Sequence, residues 1–84
     1  MSSHSVYYVY IVECSDKTYY TGQTDNLELR IKQHNGVIKG GAVYTRNKRP
    51  VILKHFEEYP SRSKALKREA EIKKLTHQEK QKLI

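Results

Sequence analysis

The chain has 84 residues, enough for one domain and too few to bury more than about 60–65% of its unfolded surface, so its core is small. Its 16 Lys and Arg against 9 Asp and Glu leave a formal charge of +7, a field that attracts polyanions and makes nucleic acid the default partner. The single Cys14 excludes an internal disulfide and a multi-cysteine metal site, and no apolar run approaches the ~20 residues that span a bilayer.

The first element is Val6 to Val12, in which every residue is β-branched or aromatic, a run too short for an ordinary helix and rich in strand formers. Alternation places Tyr8, Tyr10 and Val12 on one face and Tyr7, Val9 and Ile11 on the other. Both faces are apolar, which predicts a central strand covered on each side. Cys14-Ser15-Asp16-Lys17 is a polar break of turn character, and a second run from Thr18 to Thr21 ends at Gly22, so the pair reads as a hairpin. Next, Gln23-Thr24-Asp25-Asn26 supplies helix-start residues for a helix over Leu27 to Asn35. Leu27, Ile31 and His34 share one stripe with Arg30 beside it, and Arg30 and His34, one turn apart, can act on one point in space.

Gly36 to Pro50 is a loop by composition, with three glycines, a proline and the cations Lys39, Arg46, Lys48 and Arg49. Within it Tyr44-Thr45-Arg46-Asn47-Lys48-Arg49 mixes an aromatic, a hydroxyl and cations, a combination suited to phosphate contact and base stacking. A third strand over Val51 to Tyr59 follows; its His55 reads as a structural or surface residue rather than a ligand. Ser61 or Ser63 caps a helix from about Lys64 to Leu75 whose apolar stripe is Ala65, Leu66, Ala70, Ile72 and Leu75. Glu69 falls inside that stripe, where a carboxylate is costly unless paired, hydrogen-bonded or bound to metal. Glu71 projects to the opposite, Lys-rich side. Thr76-His77-Gln78-Glu79 is a capping-box pattern opening a short helix to Leu83.

Together these positions resemble the GIY-YIG nuclease domain, over roughly Tyr7 to Leu75. Tyr8-Val9-Tyr10 stands at the first tripeptide and Tyr20-Thr21-Gly22 at the second. Arg30 follows eight residues after Gly22, His34 comes one turn later, and Glu69 matches the late metal-binding glutamate. The likeness is greatest to the small stand-alone bacterial members, which carry a similar Gly-Gly-Ala, Tyr-Thr-Arg and Arg-Pro loop. Tyr8 replaces the first glycine of the motif, Gln23 stands where repair nucleases often have lysine, and the late asparagine of several active members has no counterpart.

The resemblance implies an α+β fold, a three-stranded antiparallel sheet flanked by helices in the order β-β-α-β-α-α. It also implies phosphodiester hydrolysis in DNA, in branched, nicked or single-stranded form, in repair or recombination. On this reading Tyr10, Tyr20, Arg30, His34 and Glu69 are catalytic, with Glu69 holding one Mg²⁺ or Mn²⁺. Arg30 neutralises charge on the phosphoryl oxygens, and Tyr10 or Tyr20 serves as the base once cations depress its pKa. Gly22, Lys39, Tyr44, Thr45, Arg46, Lys48 and Arg49 contact nucleic acid, DNA in preference to RNA. Tyr7 and Tyr19 turn away as packing residues. The alternative is a binding module of the same fold without catalysis. The remaining expectations are a single domain over 1–84 with residues 1–5 disordered, a monomer, a cytoplasmic location and no membrane contact.

Overall fold

A computed structural model describes residues 6–84; the segment 1–5, expected to be disordered, lies outside the described residues. Strand β1 (Tyr7–Glu13) is central, flanked by β2 (Tyr19–Thr24) and β3 (Ile52–Tyr59) in the order β2-β1-β3, and both pairings are antiparallel. The centre of the sheet falls on β1 for the reason its sequence contains, two apolar faces that each need a cover. On one face Val9 and Ile11 pack with Tyr19 and with Ala65 and Ile72 of helix α3 (Arg62–Lys73). Leu75 and Leu83, at the start and end of the segment carrying helix α4 (His77–Leu83), close that side, and the Tyr19 ring stacks on His77 at 4.5 Å between centroids. On the other face Tyr10 and Val12 pack with Cys14 and Val51, and Leu27 and Ile31 of helix α1 (Leu27–His34) lie against them. Full burial of each such aliphatic side chain contributes roughly 1.5–3 kcal/mol. Two small cores back to back therefore hold the domain.

The hairpin turn closes through Cys14 N donating to the Thr18 carbonyl at 2.8 Å and Lys17 N to that of Cys14 at 3.0 Å, with Lys17 at φ 71. Asp16 holds the turn by accepting the Thr18 amide. The helix starts follow from capping chemistry. The side chains of Asn26, Ser61 and Thr76 each accept an amide of the first turn, and at Thr76 the full capping box with Glu79 forms.

Four expectations are corrected. Strand β2 runs through Gly22 to Thr24 instead of ending at Gly22, because its ladder with β1 continues as far as Tyr8 opposite Thr24. The segment expected to be loop throughout contains a one-turn helix, α2 (Val43–Arg46). The element order is otherwise the expected one. The third strand starts at Ile52 and helix α3 at Arg62, one residue later and two residues earlier than the pattern indicated. The apolar stripe of α3 is narrower than its hydrophobic residues suggest, since Leu66 is 42% exposed and Ala70 also faces solvent. The ridge that meets the sheet runs through Ala65, Glu69 and Ile72, one i, i+4, i+7 line on the helix, while Leu66 and Ala70 lie off it.

Candidate active site

Tyr10 is the centre of the site, and Gly22 makes room for it. The two residues are register partners across β1 and β2. A Cβ on Gly22 would stand 2.5 Å from the Tyr10 hydroxyl oxygen, so only glycine lets the ring lie there. Gly22, expected to admit a phosphate, is buried and admits Tyr10 instead.

The Tyr10 hydroxyl lies 2.7 Å from His34 Nε2, and His34 Nδ1 lies 2.8 Å from Thr45 Oγ1, which also donates to the Ala42 carbonyl. The direction of the chain follows from its far end. Thr45 has given its proton to Ala42 O, so it accepts Nδ1–H; Nε2 is then the bare nitrogen, and Tyr10 donates to it. Arg30 Nε donates to the Tyr10 oxygen from the other side at 3.4 Å. Burial, and after it the positive charges of Arg30 and Arg49, push His34 down to a pKa of about 4, so the imidazole is neutral. Burial likewise pushes the Tyr10 hydroxyl up to about 12 against the pull of Arg30, with the charges of Tyr20 and Glu69 adding to the rise. The expected depression of a tyrosine by nearby cations is thus reversed at Tyr10, because desolvation outweighs the single guanidinium.

Arg30 is held by its Nη1, which donates to Gln33 Oε1 at 3.0 Å and to the Gly40 carbonyl at 2.6 Å. Among the described residues its Nη2 has no hydrogen-bond partner and remains available to an anion. Tyr20, half-exposed, faces the same cluster: its ring is 5.1 Å from that of His34, 6.4 Å from Tyr10 and 5.6 Å from Tyr44. Tyr7 and Tyr19 belong to the opposite core. Glu69 stands on the sheet-facing ridge of α3 with its side chain 15% exposed, and its Oε2 is 2.9 Å from Lys73 Nζ. Its charge reaches Tyr10.

The remaining cations divide. Lys39, Arg46 and Arg49 are exposed, and Arg49 is anchored by Nε donating to the His34 carbonyl at 2.7 Å. Lys48 turns toward the hairpin, 3.3 Å from Asp16 and 3.9 Å above the centre of the half-exposed Tyr44 ring. Thr45, expected to meet phosphate, is wholly buried as the anchor of His34. No sequence pattern marks that contact. The Glu69–Lys73 pair, by contrast, has a sequence signal, opposite charges one helical turn apart.

A match to the GIY-YIG catalytic domain covers residues 6–82. The chain belongs to the GIY-YIG family. Its relatives include a UPF0213 protein of Syntrophus aciditrophicus, 57% identical over 77 residues, which are 92% of this chain and 87% of that one. A UPF0213 protein of Halobacterium salinarum is 45% identical over 79 residues, 94% of this chain and 100% of the relative. Among solved structures, the solution NMR structure of a UPF0213 protein from Bacillus halodurans superposes with a TM-score of 0.58 at 41% identity, covering 93% of this chain and 81% of that chain. That of a protein from E. faecalis gives 0.63 at 42%, covering 98% and 85%. These GIY-YIG relatives confirm the α+β fold and the small stand-alone branch of the family. The family implies a nuclease and nucleic-acid binding.

Whether these residues fit a divalent cation turns on the donors present. No group of three or more His, Cys, Asp or Glu forms a cluster among the described residues. Of the partly shielded carboxylates, Glu69 is the one whose charge reaches Tyr10, and it offers hard oxygen donors. A hard cation that keeps most of its waters asks for no more from the protein, so the donor set fits Mg²⁺ and not a tightly caged ion. No helix of the described residues is long and apolar enough to cross a membrane.

Proposed function

We propose that this protein is a divalent-metal-dependent endonuclease hydrolysing phosphodiester bonds in DNA, with Arg30, Tyr10, His34, Tyr20 and Glu69 as its working residues. The observation that carries the reading is the buried, directed chain from Arg30 through Tyr10 to His34 and Thr45. A buried hydroxyl held between a guanidinium and a neutral imidazole is an arrangement that functional sites use to position and move a proton. Arg30 Nη2 meets the phosphoryl group and offsets the charge that grows on it. Glu69 would hold the cation, which supplies a Lewis acid beside the phosphate and the leaving oxygen.

Proton movement falls to Tyr10 and His34. With its hydroxyl near 12, Tyr10 takes a proton from water only by handing its own to His34 Nε2 in the same event. The O–H bond of water breaks as its oxygen bonds to phosphorus. The phosphorus–oxygen bond to the leaving sugar breaks with its electron pair going to that oxygen, which takes a proton from solvent. At the other end water's proton goes to Tyr10 as the Tyr10 proton passes to the imidazole, which becomes imidazolium. A bound phosphate offsets the Arg30 and Arg49 charges that hold His34 down, so the substrate itself raises the basicity of the acceptor. Tyr20 orients the water from the open side.

The alternative, a binding module without catalysis, draws support from Lys73, which occupies the Glu69 carboxylate. Incubating the protein with DNA and RNA of several structures, in Mg²⁺, Mn²⁺ or EDTA, separates the two. Cleavage of DNA that needs metal, is absent in EDTA and is lost in Glu69→Gln supports the endonuclease. Tight binding with no cleavage under any metal supports the module. Titration with Mn²⁺ followed by NMR checks the ligand: line broadening that spares Glu69 and its neighbours removes it from the metal site.

A further inference from the structure

The loop between α1 and α2 holds a surface that the chemistry above does not use. Val37 is 70% exposed and Ile38 beside it is also exposed, in a chain with few aliphatic side chains to spare. These two residues and the cations Lys39, Arg46 and Arg49 line one cavity of about 510 Å³. That size is ordinary for a small-molecule site, about 300–1,000 Å³. The walls are bonded to the site itself. Arg30 Nη1 donates to Gly40 O and Arg49 Nε to His34 O, while Val37 N donates to the Lys32 carbonyl at 3.0 Å. Gly36, at φ +75, leaves space that the Arg49 guanidinium fills, 2.6 Å from where a Cβ would stand.

A groove that only tracks a phosphate backbone needs no aliphatic lining, and cations placed beside that lining suit a ligand carrying an anion next to an apolar face. Both features together match a nucleotide, which has an anionic phosphate and an apolar base face. We propose that this cavity receives an unpaired nucleotide beside the scissile phosphate, with its phosphate on Lys39, Arg46 and Arg49 and its base against Val37 and Ile38. The inference rests on the nucleic-acid reading above and narrows the substrate to one carrying a flap, a bulge or a single-stranded stretch. A base inside a duplex is stacked on both faces and has none to offer. An unpaired base is already free, and placing it in a pocket costs least.

Fluorescence anisotropy tests the assignment with an intact DNA duplex and the same duplex carrying a short flap or one unpaired nucleotide. The protein should bind the unpaired forms about tenfold more tightly, the order expected for burying an apolar base face against two aliphatic side chains. Val37→Ser/Ile38→Ser should lose that preference and keep its affinity for intact duplex, because the cations remain. Val37→Ala/Ile38→Ala should behave likewise, which guards against an effect peculiar to serine, and circular dichroism checks that each variant is folded. Lys39→Ala/Arg46→Ala should weaken binding to both forms. Equal affinity of the unaltered protein for both forms, or a preference that survives in the double variants, overturns this inference and leaves the nucleic-acid reading standing. No binding to any DNA or RNA overturns both.

Discussion

The Tyr10 hydroxyl accepts from Arg30 and donates to His34, and neither partner has another route to that contact. Tyr10→Phe removes one oxygen and leaves the ring over Gly22. It strands a buried imidazole nitrogen, which costs about 1–3 kcal/mol in urea unfolding. Cleavage should fall by roughly 10²-fold or more, while Tyr7→Phe, in the opposite core, should cut at the normal rate. Equal cleavage by both variants would remove Tyr10 from the mechanism. His34 gives a second prediction at this scale. Its pKa is lowered from 6.5 to about 4, so the unfolded chain binds more protons than the folded one between those values. Its contribution to stability is complete above pH 6.5 and is lost as pH falls toward 4, at up to roughly 1.4 kcal/mol per pH unit. Urea midpoints taken across that window should drop steadily, and in His34→Gln the drop should be shallower.

A polar cluster links β3 to α3. Glu57 accepts Arg68 Nε at 2.8 Å and Nη2 at 3.2 Å, and it also meets Tyr59 and His55, the latter at 2.8 Å. Burial alone would raise this carboxyl, yet the hydrogen bonds from Arg68, Tyr59 and His55 outweigh it and bring the pKa to about 2. Its share of stability is therefore present above about pH 4.5 and lost as pH falls toward 2, below the window of His34. Glu57→Gln keeps the shape and removes the charge. An expected loss of about 1–3 kcal/mol in urea unfolding, with nucleic-acid binding unaltered, marks this cluster as a strap between elements. His55, expected to be structural or at the surface, is part of it.

For the whole molecule the net charge of +7 sets long-range attraction, but the fold decides which cations remain outward. Lys48 is drawn to Asp16 and Tyr44, whereas Lys39 and Arg46 remain exposed. Affinity for DNA should fall steeply with salt, by about 0.9 in the logarithmic slope for each phosphate contact. Lys39→Ala/Arg46→Ala should flatten that slope by roughly 1–2, and Lys48→Ala should change it little. Anisotropy at several salt concentrations reads both. Arg49 makes a poor probe, since its substitution also frees the His34 carbonyl and the Gly36 turn.

Local chemistry was legible along the chain because strands and helices repeat it. The two apolar faces of Tyr7 to Val12 marked a central strand, Asn26, Ser61 and Thr76 marked helix starts, and the spaced Tyr, Arg, His and Glu marked the family. Partners of polar side chains were not legible in this way. Tyr10 finds His34 24 positions away and His34 finds Thr45 11 positions away, separations that no helical or strand period encodes. Packing made Thr45 an interior anchor, turned Gly22 into a seat for Tyr10 and narrowed the buried stripe of α3 to the ridge carrying Glu69. It also set the Tyr10 pKa, because residue types name the nearby charges while only the assembled core removes the water.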